Sequence, residues 1–439
     1  MADEKILVLG ASGLIGRFIA DDLRVRGFQT IGVARKYSAG QATSALDIEI
    51  PIMAMDGAAL ARLLCNLAID VVVNCLGVLQ DGPGSDSRAV HRDFVERLLK
   101  AIKESGRTIR LIHVSIPGAA KDDHTAFSLT KREAERMIAA SDVSYAILRP
   151  GFVIAPAAFG GSAMVRALAA LPLRLSAADS SVPFQPVAVE DISATIAWLV
   201  SRDIDDRAAN AVTWDLMQEP PATLGEVIEA FGRALGTVDL PRIPLPAFML
   251  SLGVMSGDLV SRLGWKPPMR STAIAELRRG VRGDPSAWTA ATGLVPTTMA
   301  EVLGRHPATI QDKWFARLYL IKALIVASLV VFWIVSGFIA LFVSYDAAVG
   351  VLRAHAFPPA LVGPVTVLTS LMDMATGALI AFRRTAAFGL IWGILASLGY
   401  MVGATILTPD LWVEPLGALV KTGPAIVLML VALAMLDNR

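Results

Sequence analysis

The sequence predicts a doubly wound α/β domain with a parallel sheet, followed by an all-α bundle of four transmembrane helices. Two observations predict this fold class. Short apolar segments alternate with helical patterns from residue 5 to residue 149, and long apolar runs fill residues 318–436. Hydrophobic residues make up 54% of the 439-residue chain, and their uneven distribution separates a water-soluble part from a membrane part.

The apolar segments of the N-terminal part are typical of strands that are covered on both faces. They are rich in Val, Ile and Leu and do not alternate with polar residues, as expected of a parallel sheet between two helical layers. The predicted strands are Ile6–Leu9, Thr30–Ala34, Val71–Cys75, Leu111–Ser115 and Tyr145–Leu148. The predicted helices between them are Leu14–Arg26, Ala58–Leu67, Arg88–Glu104 and Ala126–Ala140, and Val182–Val200 adds a last strand and helix. This alternation implies right-handed crossovers.

Three regions are predicted along the chain. Residues 1–204 form the α/β domain, residues 205–312 a smaller substrate-side region with several proline clusters, and residues 313–439 the membrane domain. A net charge of +1 gives no electrostatic signature of nucleic-acid binding, so no nucleic-acid partner is predicted. The two cysteines form neither a CxxC motif nor a disulfide framework, which suits a reducing compartment, and we predict no metal site.

Four apolar runs are long enough to cross a lipid bilayer. A hydrocarbon core of about 30 Å needs about 20 apolar residues per helix. The predicted spans are Leu318–Val343, Ala360–Phe382, Thr385–Leu407 and Pro415–Leu436. They predict a multi-pass membrane protein, which we expect in a bacterial inner membrane.

The basic residues predict the orientation of these spans. Arg383 and Arg384 separate the second and third spans and Arg439 ends the chain, whereas the opposite loops carry Asp346 and Asp410. The tendency of basic loops to stay inside places both termini in the cytoplasm. The start of the sequence carries acids and shows no secretory signal, which agrees with a cytoplasmic N-terminal domain.

A glycine-rich motif follows the first predicted strand and opens the first predicted helix. Gly10, Gly13 and Gly16 allow a tight turn, close backbone approach to a phosphate and close packing of helix on strand. Free N–H groups at the helix start, together with the helix dipole, then hold a pyrophosphate. The predicted cofactor contacts here are Gly10, Ser12, Gly13, Leu14, Ile15 and Gly16. This strand–turn–helix context predicts a dinucleotide site of the Rossmann type.

The end of the second predicted strand bears on the choice of cofactor. An NAD-selective site would show an acid there, which accepts a hydrogen bond from the ribose 2′-OH. The sequence instead has Arg35 and Lys36, and an arginine offers a planar fork that matches phosphate oxygens. We therefore predict NADP, with NAD as the alternative if the two cations are only a solvated surface pair.

These motifs resemble the extended and atypical short-chain dehydrogenases/reductases. The resemblance rests on the glycine motif and on three segments at strand ends, namely Asn74–Gly77, His113–Ser115 and Leu148–Gly151. It is closest to the atypical branch that includes the Rossmann accessory subunit of respiratory complex I. The resemblance implies that Asp47 lies near the adenine, and that Leu76 and Gly77 lie near the nicotinamide-side ribose.

The resemblance also implies catalytic residues, of which one is replaced. The family's proton donor is a Tyr one helical turn before a Lys, so that both share a helix face. Here Lys131 is retained, while Phe127 stands at the Tyr position and cannot transfer a proton. Ser115 occupies the position of the catalytic Ser, and Lys131 can still bind ribose hydroxyls. The candidate substitutes for the proton donor are His113, His124 and Ser128, although a lone His is more often structural.

Residues 318–436 resemble the DoxX-like membrane family, through Asp373 in the second span and the segment from Pro415 to Lys421 that opens the fourth. An Asp in mid-membrane costs about 2.5–3.5 kcal/mol on insertion scales and usually faces the bundle interior. Asp373 is therefore either functional or a protonated hydrogen-bond donor between helices. Lys421 is predicted about 10 Å nearer the outer boundary, too far for an unstrained pair, and is expected to extend outward toward Asp410 or Glu414.

Two functions follow from these features. The first is a membrane-bound, NADP(H)-binding oxidoreductase-like protein that acts on a hydrophobic molecule, with a quinone suggested by association with the DoxX-like family. The second is a non-catalytic NADP(H)-binding protein that senses the cofactor or assembles with a membrane complex, or with further copies of itself. The replacement at Phe127 favours the second function, and fusion to a bundle with polar residues favours the first.

Overall fold

A computed structural model describes residues 4–37, 44–82, 85–158, 160–203, 206, 209–355, 357–413, 417 and 419–436. The chain forms two compact units. One comprises Met1–Asp258 with Pro268–Arg317, and the other comprises Leu259–Pro267 with Leu318–Arg439. The predicted division into three regions at residues 204 and 312 stays a prediction.

The first unit is built around a seven-stranded sheet. Its strands and those of two smaller sheets are β1 Lys5–Leu9, β2 Gln29–Ala34, β3 Ile48–Glu49, β4 Val71–Asn74, β5 Arg110–Val114, β6 Tyr145–Pro150, β7 Phe152–Ile154, β8 Leu173–Arg174, β9 Pro186–Ala188, β10 Val212–Leu216 and β11 Ile243–Pro244. The large sheet has the order β10-β6-β5-β4-β1-β2-β3, and all its pairings are parallel. Its edge strand β10 lies beyond residue 204 in the sequence. The pairs β7–β9 and β8–β11 are also parallel.

Among the described residues, twelve helices lie wholly or mainly in this unit. They are α1 Leu14–Val25, α2 Gly57–Asn66, α3 Phe94–Glu104, α4 Ala126–Ala139, α5 Gly161–Ala170, α6 Ala177–Ser180, α7 Val189–Val200, α8 Leu224–Leu235, α9 Ala247–Arg262, α10 Ser271–Arg279, α11 Ser286–Thr292 and α12 Met299–Arg305. A π-helical turn at Ala89–Asp93 leads into α3. Strands and helices alternate as predicted, and the doubly wound parallel fold is confirmed.

Strand β1 shows why the predicted strands lack polar alternation. Ile6 and Val8 pack into a cluster with side chains of α1 and α7. Leu7 and Leu9 point to the opposite face and pack with side chains of α2, α3 and α4. All four side chains are fully buried, because helices cover both faces of the sheet.

A third apolar cluster lies after the carboxyl end of β6. Phe152 follows β6 directly and packs with Phe184, while Leu224, Phe231 and Val302 supply the helical side of the cluster. Much of this cluster therefore comes from residues 205–312, the region predicted to lie on the substrate side.

The second unit is all-α. Its helices are α13 Ile310–Phe338, which begins in the first unit, α14 Tyr345–Ala354, α15 Pro359–Ala381, α16 Ala386–Leu407 and α17 Thr422–Ala434. Among the described residues, three helices are long and apolar enough to cross a membrane: Ile310–Val343, which includes a π-helical end, then α15 and α16.

The predicted bundle of four membrane-length helices needs a correction at the fourth span. Helix α17 has only 13 residues, about 20 Å at 1.5 Å per residue. Gly417 adopts a φ of +59°, which is incompatible with an α-helix, and Lys421 is the N-cap residue. The helix therefore starts at Thr422, whereas the apolar run starts earlier.

Glycines allow the membrane helices to pack closely. A Cβ on Gly377 would lie 3.0 Å from the backbone nitrogen of Ile334, and one on Gly393 would lie 3.2 Å from the Trp333 ring. A Cβ on Gly389 would lie 2.8 Å from the backbone nitrogen of Ile380. Small residues at helix contacts are the usual means by which backbones approach each other within a bilayer.

Candidate functional site

The glycine-rich loop after β1 forms a tight turn. Gly10 has a φ of +82°, and its N–H and that of Ala11 donate to the Val33 carbonyl at 3.0 and 3.1 Å. The N–H of Gly13 donates back to the Gly10 carbonyl at 2.9 Å. A Cβ on Gly16 would collide with the Gly10 carbonyl oxygen, so the first turn of α1 can lie against the loop only with glycine there.

The start of α1 offers backbone donors. Gly13 is the N-cap residue and has no side chain that could cap the helix. The first intrahelical bond from this end is donated by Arg17 to the Gly13 carbonyl, so the amides of Leu14, Ile15 and Gly16 face the helix entrance. Ser12 lies half-buried in the turn. These donors and the positive end of the helix dipole fit a pyrophosphate.

The end of β2 exposes two cations and buries one acid. Arg35 and Lys36 directly follow β2 and are both exposed. The Asp47 side chain is only 3% exposed and its Oδ1 forms a 2.6 Å ion pair with Arg24 Nη2. A Cβ on Gly32 would collide with that carboxylate oxygen. Asp47 thus lies behind β2 in an ion pair, and Arg35 and Lys36 are the charges presented at the strand end.

The carboxyl ends of β4 and β5 bring several predicted residues together. Lys131 Nζ donates to the carbonyl of Leu76 at 3.1 Å and to that of Val114 at 2.8 Å. A Cβ on Gly77 would lie 3.9 Å from Lys131 Nζ. Asn74 accepts from the Leu76 N–H at 3.1 Å and thereby fixes the turn.

Lys131 is a buried ammonium with one donor to spare. Two of its three N–H bonds are used by the two carbonyls. We propose that the third binds a ribose hydroxyl of the coenzyme beside Gly77. Burial lowers the pKa of Lys131 to about 8, against smaller opposing effects of Cys75 and Glu135.

Phe127 lies one turn before Lys131 on α4 and is half-buried. Its ring meets His91 edge-on, with the centroids 5.5 Å apart. His91 Nε2 accepts from the Val78 N–H at 3.0 Å, so the ring proton is on Nδ1, which lies 2.9 Å from Thr130 Oγ1. The pKa of His91 is lowered to about 2, mainly because the ring is buried and secondly because the positive charge of Lys131 is near. His91 could not be singled out from the sequence, because a single His within a helical pattern has no distinctive spacing.

Two of the three candidate substitutes for the proton donor are buried and bound to other groups. Ser128 is fully buried and forms a capping box with Thr125. His124 is exposed. His113 is fully buried and accepts at Nδ1 from Asn74 Nδ2 at 3.2 Å, and burial lowers its pKa well below the ordinary value. His113 is therefore neutral.

Ser115, at the end of β5, lies close to a carboxylate. Glu135 receives two hydrogen bonds from Arg149, at 2.9 and 2.7 Å, and an ion pair from Arg132 at 3.0 Å. Burial tends to raise the pKa of Glu135, but Arg149, Ser115 and Arg132 together hold it below its ordinary value. The Ser115 hydroxyl is buried and makes no well-aligned hydrogen bond to any described residue. Glu135 is ionised and is not a proton donor.

A buried ion network continues from this carboxylate. Asp123 binds Arg132 Nε at 2.9 Å and Arg279 Nη2 at 2.7 Å. Arg279 also donates to the Pro117 carbonyl at 2.7 Å. The network ties α10 to the loop between β5 and α4, and so fixes the wall of the site next to Ser115. Sequence reasoning missed it, because its members are spread from residue 117 to residue 279.

In the membrane unit, Asp373 finds a partner on the next helix. Tyr400 of α16 donates its hydroxyl to Asp373 Oδ1 at 2.8 Å. Lys421 is exposed at the start of α17. Asp410 pairs with His355 Nε2 at 2.6 Å, and Glu414 lies outside the described residues. Of the two charges predicted within the membrane, Asp373 is bound to Tyr400, and Lys421 is exposed at the start of α17.

The parallel sheet and the glycine loop are those of an NAD(P)-binding Rossmann domain, and the buried lysine resembles that of the short-chain dehydrogenases/reductases. Comparison with known families agrees with this class. Residues 10–170 match the NAD(P)H-binding family, and residues 330–430 match the DoxX-like family. The chain therefore combines an N-terminal NAD(P)-binding domain with a C-terminal DoxX-like membrane domain.

A curated relative is the dTDP-6-deoxy-L-talose 4-dehydrogenase (NAD(P)(+)) of Kitasatospora kifunensis. It is 27% identical over 171 residues, which are 35% of this chain, and the chain spans about half (54%) of that relative. Two solved structures share the fold. The UDP-glucose 4-epimerase of Thermotoga maritima, solved with UDP-glucose, has a TM-score of 0.51 and 15% identity, over 73% of this chain and 99% of that one. The Bordetella bronchiseptica enzyme WbmG, solved with NAD, has a TM-score of 0.52 and 16% identity, over 72% and 97%.

Proposed function

We propose that this protein is a membrane-anchored NADP(H)-dependent oxidoreductase whose substrate is a hydrophobic, quinone-like acceptor. The observation that carries the proposal is the combination of a nucleotide site with its lysine in place and a phenylalanine at the proton-donor position. The glycine loop and Lys131 bind the coenzyme, and the replacement of Tyr by Phe127 removes only the proton donor. Such a site selects substrates that do not need an acid from the protein.

Chemistry explains why a quinone satisfies this condition. A bound nicotinamide coenzyme supplies a hydride. A simple ketone that takes up hydride becomes a strongly basic alkoxide, and a positioned acid typically speeds that reaction by about 10²–10⁴-fold. A quinone becomes a phenolate-type anion, a far weaker base that can take its proton from water. Phe127 thus disfavours ketones much more than quinones.

The membrane domain supports a hydrophobic acceptor. Asp373 and Tyr400 place a carboxylate and a hydroxyl side by side within the apolar helices α15 and α16. Polar side chains inside membrane segments are costly and usually mark a functional site. A lipid-soluble molecule with carbonyl or hydroxyl oxygens matches such a pair of hydrogen-bonding groups.

The assay uses the purified full-length protein in lipid vesicles. NADPH oxidation is followed with a panel of quinones, lipid aldehydes and simple ketones. We expect quinones to be reduced and simple ketones to react about 10²-fold more slowly or not at all. Lys131→Met should abolish the activity, whereas Lys103→Met, an exposed lysine on α3, should leave it unchanged.

A second candidate function is a non-catalytic NADP(H) sensor or assembly factor of a membrane complex. It is favoured by the buried ion network beside Ser115, which commits Glu135 and both neighbouring arginines to structure. NADPH binding without oxidation by any quinone or lipid aldehyde would select this function over the first. Ketone reduction at ordinary enzyme rates would contradict both, and Phe127→Tyr then tests whether residue 127 lies at the reacting carbonyl.

A further inference from the structure

Helix α9 has an apolar face that points away from the protein. Phe248, Leu252, Met255 and Leu259 are exposed by 70, 61, 70 and 61%. They are four, three and four residues apart, which places them on a single stripe along the helix. Such large side chains on the outward face of a 16-residue helix are unusual for a helix in water, where that face is polar.

The opposite face of α9 is the one that packs on the protein. A Cβ on Gly257 would collide with the Met269 carbonyl oxygen, and Ser261 is buried. Asp258 on the flank pairs with Arg270 Nε at 3.4 Å. The helix therefore packs on the protein through the face that carries Gly257 and Ser261, and the apolar stripe is left outside.

The chain that leaves α9 is fixed to the ends of membrane-spanning helices. The Trp265 indole donates to the Ala381 carbonyl at 2.7 Å, and the N–H of Arg383 donates to the Leu263 carbonyl at 3.0 Å. The Arg383 guanidinium also lies over the Trp265 ring, 5.6 Å from its centre. Ala381 ends α15 and Arg383 precedes α16, so these bonds place the end of α9 at the level of a membrane boundary.

The charges at this end suit a lipid headgroup layer. Arg262 and Lys266 are both exposed, three residues before Trp265 and directly after it. A helix with an apolar face, basic residues and an interfacial tryptophan is the pattern of a segment that lies in the plane of the membrane surface.

We propose that α9 is an interfacial helix whose stripe of Phe248, Leu252, Met255 and Leu259 is covered by the lipid bilayer. The occupant is the headgroup and upper acyl region of the leaflet adjoining Arg383. This membrane contact does not depend on the proposed reaction. It adds a second attachment to the bilayer beside the spanning helices.

The test uses full-length protein with Cys65→Ser and Cys75→Ala, so that one introduced cysteine carries a fluorescent label. The protein is placed in phosphatidylcholine–phosphatidylglycerol vesicles with brominated acyl chains, which quench on contact. A label at Leu252→Cys should lose about half its fluorescence relative to vesicles without bromine. A label at Glu229→Cys, on the exposed side of α8, is the matched control and should be unaffected.

Equal fluorescence of the two labels in brominated vesicles overturns the proposal. So does a spin label at Leu252→Cys that shows coupling to a second copy, since that would mean the stripe is covered by another chain. Both labelled variants must bind NADPH as the cysteine-free protein does, which shows that they are folded.

Discussion

At the scale of single residues, we predict that the side chains at the end of β2 determine the choice between NADP and NAD. Asp47 is buried and forms an ion pair with Arg24. Arg35 and Lys36 remain exposed at the place where the 2′ substituent of the adenine ribose is read in this fold. The arrangement favours a phosphate over a hydroxyl.

We predict tighter binding of NADPH than of NADH, and loss of this preference in Arg35→Glu. A charged hydrogen bond contributes about 1.5–3 kcal/mol, so the discrimination should be about tenfold or more. Arg62→Glu, an exposed arginine on α2, makes the same charge change away from the site and should bind like the wild type. Titration of both coenzymes measures the effect, and equal affinities of the wild type for the two would contradict it.

Lys131 makes a prediction about pH. Its pKa in the folded protein is about 8, below its ordinary value of 10.5, because it is buried. As pH rises through about 8, the ammonium loses its charge and the ribose contact weakens, so NADPH affinity should fall. Between the folded pKa of about 8 and the ordinary value of 10.5, Lys131 is protonated in the unfolded chain and mostly deprotonated in the folded one. Lys131 therefore makes the free energy of unfolding increase with pH over this range.

NADPH affinity should fall with pH while the contribution of Lys131 to the free energy of unfolding rises. This difference in sign distinguishes the titration of Lys131 from a general loss of structure at alkaline pH. Binding and denaturant unfolding are measured on the same samples from about pH 7 to about pH 10. In Lys131→Met the fall in affinity should disappear. An affinity that declines equally in wild type and Lys131→Met would assign the effect to another group.

At the scale of elements, the unit that matters is β1, the glycine loop and α1. Gly10 allows the left-handed turn and Gly16 allows α1 to rest on that turn. The N–H groups in the first turn of α1 point toward the predicted pyrophosphate position only while Gly16 contacts the turn at Gly10. Binding and packing therefore depend on the same backbone approach.

We expect Gly16→Ala to weaken both. Its Cβ would press on the Gly10 carbonyl, and overpacking of this kind costs about 1–3 kcal/mol. NADPH affinity should fall about tenfold and the melting temperature should drop by several degrees. Gly57→Ala is the matched control, since a Cβ there meets only the Glu104 carboxylate at 4.0 Å. If Gly16→Ala binds and melts like the wild type, the loop is more adaptable than this packing implies.

At the scale of the whole molecule, the number of membrane crossings decides where the C-terminus lies. Three helices reach membrane length among the described residues, and α17 is shorter. Helix α17 nevertheless contributes Met429 and Ala432 to the buried core of the membrane unit, together with Trp333 and Leu390. That burial favours a crossing by α17 and its preceding turn.

We therefore predict that a reporter after Arg439, or between Arg383 and Arg384, reports the cytoplasm, and that one at Ala354 reports the opposite side. The basic residues at the Arg383–Arg384 turn supply the orientation. A reporter within the N-terminal domain, after Lys121, should report the same side as the reporter after Arg439. A C-terminal reporter on the far side would mean an odd number of crossings.

The sequence by itself determined the alternation of strands and helices and the glycine-rich loop after β1. Buried parallel strands such as Val71–Asn74 form local apolar runs, and the residues of Gly10–Gly16 act within one turn, so neighbouring residues carry the signal. The replacement at Phe127 is likewise visible, because Phe127 and Lys131 share one helix face. The long apolar runs predicted helices of membrane length for the same reason.

The tertiary structure alone decided which groups meet across the chain. Asp47 with Arg24, Asp373 with Tyr400, and Asp123 with Arg279 are pairs whose members lie up to 156 residues apart. Hydrophobic periodicity specifies that an element is buried, but not which charge it meets. The late start of α17 and the outward apolar stripe of α9 also depend on packing, because a run of apolar residues looks the same whether protein or lipid covers it.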